Sequence, residues 1–406
     1  GGIYLWDVAA SRHRAVLRDQ PARTKYLTFN PEGDLLAGIG NDKMLRIWDV
    51  AGRRCLLQVP ASIYPLRFSL DGRRLAFRPG RASLATWRLE RGAVCRKLPL
   101  PHHPSRRVYS VAFSSDGRLL ASAGNDGVRL WDADRLQPLA FQRDALVFAV
   151  CFSPDGRILH GDGQSGRHSW RVEKESESGS FRLIAEASTY AVPTSRNYSL
   201  AVDRDGKTLA AVQDGPPRVL VWRDDSPGGK IVLPVSTTSV FLTLSPDGRW
   251  TAISKTPTVR IFDSRNGTLA AELPSNQAPV VFSPDGRWLL TDSANVYRAW
   301  EVGTWRLGAF RAPRESYVPP RGLAFSADGK TLAIVPNAQQ VRLLDFPSGE
   351  ERVALPVAGA HSITSLAFSP NADRLAVALD DVPQVWDLAL LRRQLAEWGL
   401  EWTAPR

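Results

Sequence analysis

Cysteine, lysine and long apolar runs are all scarce in this chain of 406 residues, and each scarcity removes a class of explanation. The three cysteines, Cys55, Cys95 and Cys151, are too few and too scattered for a disulfide framework. Each sits inside an apolar run, as in Val147-Phe148-Ala149-Val150-Cys151-Phe152, where a thiol serves as a small core side chain. No apolar stretch is long enough to cross a membrane as a helix. There is neither a secretory leader nor an initiator methionine. The opening Gly1-Gly2-Ile3-Tyr4 reads as part of a longer polypeptide, and the expected compartment is the cytoplasm.

Chemistry-bearing motifs are equally sparse. The histidines His13, His102, His103, His160, His168 and His361 show no metal-ligand spacing, and His102-His103 stands between prolines in what reads as a solvated loop. Asp203-Arg204-Asp205-Gly206 begins like a calcium loop but lacks the later acidic ligands. No glycine-rich phosphate loop opens a helix, no serine lies in a nucleophile elbow, and no kinase catalytic loop is present. The sequence therefore points to a non-enzyme with no cofactor and no metal. Only eight of the 52 basic residues are lysine; the other 44 are arginine and carry most of the net charge of +11. They are dispersed, many in one recurring slot (Arg118, Arg157, Arg249, Arg287), which favours solubilising charge over a nucleic-acid footprint.

What the chain has in abundance is a repeat. Phe-Ser-Pro-Asp-Gly or a near copy returns about every forty residues, at Phe113, Phe152, Phe282 and Phe325, with weaker versions ending at Gly33, Gly72, Gly206, Gly248 and Ala372. In one unit, Val108-Tyr109-Ser110-Val111-Ala112-Phe113 alternates like a strand and Asp116-Gly117 supplies a hairpin turn. Further strands are expected over 119–123, 128–132 and 138–141. Four short antiparallel strands form a small sheet whose faces must both be covered. Radial stacking of copies does this, giving an all-β propeller.

A large residue followed by an acid or arginine recurs at the end of each third strand: Trp6-Asp7, Trp48-Asp49, Trp87-Arg88, Trp131-Asp132, Trp170-Arg171, Trp222-Arg223, Phe262-Asp263, Trp300-Glu301, Leu344-Asp345 and Trp386-Asp387. A wide aromatic there can fill the gap between adjacent sheets. On these residues the chain resembles the WD40-repeat β-propeller family, over nearly its whole length. The family's Gly-His pair before the first strand is largely missing; only His361 is near that slot, although Asp42 holds the family's aspartate position before Trp48. The resemblance extends to large bacterial proteins in which WD40 arrays follow a Ser/Thr-kinase domain.

Nine first strands are expected, and a partial repeat precedes them, since Ile3-Tyr4-Leu5-Trp6-Asp7 is a third strand and 14–17 a fourth. After Trp386, Asp387 can cap a short helix with Leu388, Leu391, Leu395 and Trp398 on one face and Gly399 at its end. The last unit thus needs a borrowed fourth strand. If 93–98 lends it, residues 93–388 form a seven-bladed ring, 1–92 belong to an upstream propeller and 389–406 are helix and tail. If 14–17 lends it, residues 1–388 close as one nine-bladed ring. The first arrangement is favoured.

The resemblance implies a partner-binding face made by the loops between fourth and first strands and between second and third. Mapped on this sequence, that face carries Lys25, Arg78, Arg81, His102, His103, Arg106, Arg107, Arg143, Lys255, Arg314, Tyr317 and Arg321. Arginine grips carboxylates and phosphates in bidentate fashion, so the expected partner is a protein or peptide, acidic or phosphorylated. The leading function is a non-catalytic scaffold, the sensor or docking region of a larger bacterial signalling protein. A propeller hydrolase or its substrate-gating domain is the competing reading, and nucleic-acid binding ranks third.

Overall fold

The computed structural model describes residues 2–7, 11–17, 24–51, 53–60, 62–69, 74–78, 85–88, 94–98, 107–144, 146–164, 166–175, 181–186, 200–213, 218–223, 230–234, 241–255, 257–275, 279–293, 296–313, 322–337, 340–357, 363–379 and 383–397. Apart from the helix Leu388–Glu397, every regular element in them is a β-strand. The unit read first from the sequence has strands Val108–Phe113, Leu119–Gly124, Gly127–Asp132 and Pro138–Arg143, paired in that order in one antiparallel sheet. Four further sheets repeat this order, starting at Val147–Phe152, Leu200–Val202, Phe241–Leu244 and Val281–Phe282.

Two more sheets complete a circle. Leu323–Phe325 opens one, and Ile363–Phe368 opens the last, whose fourth place is filled by Cys95–Lys97. The register puts Cys95 opposite Trp386 and Lys97 opposite Gln384. Each first strand packs on that of the next sheet, and Ile363–Phe368 packs on Val108–Phe113. The result is a β-propeller.

The side-chain period of two explains how the blades adhere. In Gly127–Asp132, Val128 and Leu130 face the following blade, sharing a core with Val147, Val150 and Phe152. Trp131 faces the preceding blade and meets Ala376, Ala378 and Val385. Trp170, Trp300 and Trp386 likewise join cores containing residues of the blade before theirs. Second strands have both faces covered, so Leu119–Gly124 is buried at every position, which suits its continuous small and apolar sequence.

The recurring turn also has a job between blades. Ser114 Oγ donates to Asp116 at 2.6 Å and accepts from the Leu119 N–H at 3.0 Å, while Asp116 accepts from the Arg118 N–H at 3.0 Å. The same set recurs at Ser153, Ser245, Ser283 and Ser326. These carboxylates are therefore tied into their own turns. For Asp116, burial pushes the pKa up, but the Ser114 hydroxyl, the Arg118 N–H and the Arg118 charge together hold it below the ordinary value. Turns within the ring also lean on their predecessors: a Cβ on Gly206 would lie 2.9 Å from Pro154 Cδ, and one on Gly117 3.3 Å from Pro370 Cδ.

The described residues before 93 supply three further groups of strands. Ile3–Asp7 pairs with Arg12–Leu17; Thr24–Phe29, Leu35–Gly40, Met44–Asp49 and Arg54–Pro60 make a complete blade; Ser62–Phe68, Arg74–Arg78 and Ala85–Arg88 make three strands. The complete blade joins the ring edge to edge, Gln58 opposite Ala354. Asp387 Oδ1 accepts from the Leu390 N–H at 2.7 Å and caps the helix. Its Leu388, Leu391 and Leu395 enter one core with Ile39, Leu45, Leu75, Val353 and Leu375. The helix is thus packed at the seam between the early blades and the ring.

Candidate partner-binding face

The turn 125–127 between the second and third strands of the Val108 blade brings part of the expected face together. Arg107 and Asn125 are bonded reciprocally, the Asn125 N–H to Arg107 O and the Arg107 N–H to Asn125 Oδ1, both at 3.1 Å. Arg143 lies opposite Gly127 in the ladder, and the Asp144 N–H reaches Asp126 O at 3.4 Å. Arg107 and Arg143 therefore flank one turn, and both are exposed.

Beneath them is a brace that sequence reasoning missed. Arg129, 8% exposed, makes a bidentate pair with Asp126, at 2.8 Å to Oδ1 and 2.6 Å to Oδ2. Its guanidinium also stacks 4.1 Å from the centroid of Phe141. The upstream blade repeats the device: Arg46, 1% exposed, takes Asp42 with both terminal nitrogens and donates from Nε to Gln58 Oε1 at 3.0 Å. The turn aspartate, for which the resemblance implies a histidine partner, is held here by an arginine of its own third strand. The signal was present as an arginine two residues before the third-strand aromatic, in Arg46, Arg129, Arg260 and Arg298. A histidine takes this slot in the next blade, where His168 Nε2 lies 3.5 Å from Asp144 Oδ2 and stacks on Trp170.

The remaining expected residues are more dispersed. Lys255 is on the corresponding turn three blades further round, and Lys25 is in the Thr24–Phe29 strand outside the ring. Arg78 ends the Arg74–Arg78 strand, opposite Ser62. Arg81, His102, His103, Arg106, Arg314, Tyr317 and Arg321 lie outside the described residues.

No group of three or more potential metal ligands occurs among the described residues. Two groups in the second ring blade, His160 and Cys151, are shifted chiefly by burial. Burial first, then the Arg167 charge, push His160 down to about 4, so the ring is neutral; its Nδ1 lies 2.9 Å from Ser169 Oγ. Burial pushes the Cys151 thiol up to about 12, which keeps it protonated. What the face offers chemically is directed arginine.

Comparison with known proteins follows the same lines. The profile described as "WD domain, G-beta repeat" matches residues 23–49, 94–132 and 355–387. The chain is 30% identical over 135 residues to "Protein LST8 homolog" of Drosophila melanogaster, covering 33% of this chain and 32% of that protein. It is 32% identical over 127 residues to "WD repeat-containing protein SL1-17" of Schistosoma mansoni, covering 30% and 41%. It is 28% identical over 93 residues to "Periodic tryptophan protein 2 homolog" of Schizosaccharomyces pombe, covering 22% and 11%. The matched stretches span less than half of each of these relatives. With the four-stranded blades and the interblade tryptophans in place, the chain carries WD40 repeats.

Proposed function

We propose that the chain is a non-catalytic docking scaffold that binds an acidic or phosphorylated peptide on the 125–127 side of a seven-bladed ring formed by residues 93–388. The observation that carries this reading is the division of labour around one turn. Asp126 is engaged by the buried Arg129, so its charge is compensated from below. Arg107 and Arg143 stand exposed above it, and an incoming carboxylate or phosphate meets two guanidinium groups. Binding other proteins is the general use of WD40 repeats, and the chemistry of the partner is read from these two side chains. No helix among the described residues is long and apolar enough to cross a membrane. By the resemblance of the array, we place it in the cytoplasm as the docking region of a larger bacterial signalling protein.

The test is a double charge reversal, Arg107→Glu with Arg143→Glu, screened with the parent protein against acidic and phosphorylated peptides. The parent's best ligand should bind the variant at least tenfold more weakly, about 1.4 kcal/mol, with a shallower salt dependence. Equal affinity for both proteins would overturn the reading.

A further inference from the structure

Among the described residues, neighbouring ring blades share an apolar core at every seam but one. The exception lies between the second ring blade, which opens with Val147–Phe152, and the third, which opens with Leu200–Val202. In the first ring blade the face turned to the next blade carries Ala121, Ala123, Val128 and Leu130. The ladders put His160, Asp162, Arg167 and Ser169 at the same four positions of the second blade. The place of His160 is held by alanine in five of the other six blades (Ala121, Ala210, Ala252, Ala333 and Ala376) and by Leu290 in the sixth. Sequence patterning alone would make this face a core, and its side chains make it polar.

These groups are closed in against the third blade. Arg167 is 6% exposed, Asp162 lies opposite it in the ladder and is 1% exposed, and the Arg167 guanidinium sits 5.0 Å from the centroid of Trp222. Trp222 is half-buried, whereas Trp131, Trp170, Trp300 and Trp386 at the equivalent places are buried. Parting an apolar seam brings hydrocarbon into water, and the other seams resist opening on that account. Parting this one returns His160, Asp162 and Arg167 to water, and their desolvation works against closure.

We propose that the seam between the second and third ring blades is a pH-sensitive gate, closed while His160 is neutral and parted when His160 takes up a proton. In the closed seam Cys151 faces His160 across the ladder, Ser169 Oγ lies 2.9 Å from its Nδ1, and Asp162 and Arg167 share its face. Burial disfavours the imidazolium most, Arg167 adds to this, and Asp155 in the turn opposes it. Strand alternation turns Leu200, Val202, Leu209, Ala211, Leu220 and Trp222 of the third blade to this face, with Arg218 at its exposed end, so that side offers no carboxylate. Opened to water, the imidazole regains its ordinary value of 6.5, against about 4 in the closed seam, so the opened form binds the proton more tightly. As pH falls from about 6.5 to about 4, the opening equilibrium therefore rises by up to about tenfold per pH unit, and below that it gains nothing further. The gate stands apart from the peptide-binding reading, which concerns Arg107 and Arg143 beside the 125–127 turn.

The experiment is residue-resolved hydroxyl-radical labelling of the full chain between about pH 7.5 and about pH 5, a window that spans the upper part of the titration. Leu209 and Trp222 report on this seam, and Leu120 and Trp131, at the equivalent positions of the first ring blade, report on an apolar one. On acidification, labelling of Leu209 and Trp222 should rise several-fold while Leu120 and Trp131 stay unchanged. His160→Ala installs the residue that most other blades use, and it should abolish the rise. A second variant combining His160→Ala, Asp162→Ala, Arg167→Val and Ser169→Leu gives the second blade the face of the first. It should lower labelling of Leu209 and Trp222 throughout the pH range. A flat response in the parent protein, a rise shared by Leu120 and Trp131, or a rise that survives in His160→Ala would each overturn the proposal.

Discussion

The indole N–H of each third-strand tryptophan needs an acceptor, and the chain supplies one unevenly. Trp131 Nε1 donates to Ser122 Oγ and Trp300 Nε1 to Thr291 Oγ1, both at 2.9 Å. Ser122 and Thr291 lie in second strands, two residues beyond the leucine that faces the tryptophan across the ladder. Trp386 faces Leu375, and the equivalent position is Val377; its Nε1 is buried with no acceptor among the described residues. A buried unpaired donor costs about 1–3 kcal/mol, whereas a satisfied bond contributes about 0.5–1.5 kcal/mol. Two nearly isosteric changes should therefore act in opposite directions. Thr291→Val should destabilise the protein by about 1–3 kcal/mol, and Val377→Thr should stabilise it by about 1 kcal/mol. Urea titration decides the matter: a Val377→Thr variant less stable than the parent would mean that its hydroxyl does not reach Trp386.

At the scale of elements, the hairpin turn is where sequence and structure agree most closely, and the reason is local. Strand Val108–Phe113 begins and ends where the sequence places it, because period-two alternation and an Asp-Gly turn are short-range signals. The Asp126–Arg129 brace was less legible, since its meaning depends on a turn folding back over the residue it precedes. The expected binding face was legible only in part: Arg107 and Arg143 flank the 125–127 turn, whereas Lys25 lies in a first strand outside the ring and Lys255 at a turn three blades away. Nor does the glycine of the turn reveal which neighbour presses on it. Gly33 and Gly248 both have left-handed φ, +72° and +67°, but a Cβ on Gly33 would meet nothing within 4 Å. On Gly248 it would strike the Asp203 and Thr208 side chains of the preceding blade. Gly33→Ala should therefore cost only the left-handed backbone penalty, about 1–2 kcal/mol. Gly248→Ala should cost that and a packing penalty of about 1–3 kcal/mol besides. Equal denaturation midpoints for the two variants would show that the turns do not bear on one another.

For the whole molecule, the decisive contact joins the two ends of the ring, far apart in sequence. Cys95–Lys97 pairs with Gln384–Asp387, and Cys95 Sγ meets Gln384 Oε1 across 289 residues. Flanking bonds run from Asp387 N–H to Val94 O at 2.7 Å and from Leu98 N–H to Pro383 O at 2.9 Å. Thr364 Oγ1 donates to Val108 O nearby, and Arg374 pairs with Asp134, so first and last blades are clasped at several radii. Every other blade of the ring draws its fourth strand from the chain immediately after its third, and losing such a strand frays one sheet. Losing the borrowed strand separates the two ends of the array. Proline in each setting distinguishes these outcomes, because it removes the ladder donor where the replaced N–H points to the neighbouring strand. Arg96→Pro, opposite Val385, should speed amide exchange in Gln384–Asp387 and in Val108–Phe113 together, and lower the urea midpoint of the whole ring. Ala271→Pro, opposite Ile261, should speed exchange only within its own blade. The closed ring predicts that asymmetry because its stability is cooperative only while both ends are held. If the two variants lost protection over equally local stretches, the borrowed strand would be an edge ornament and closure would rest on the packing of the inner strands.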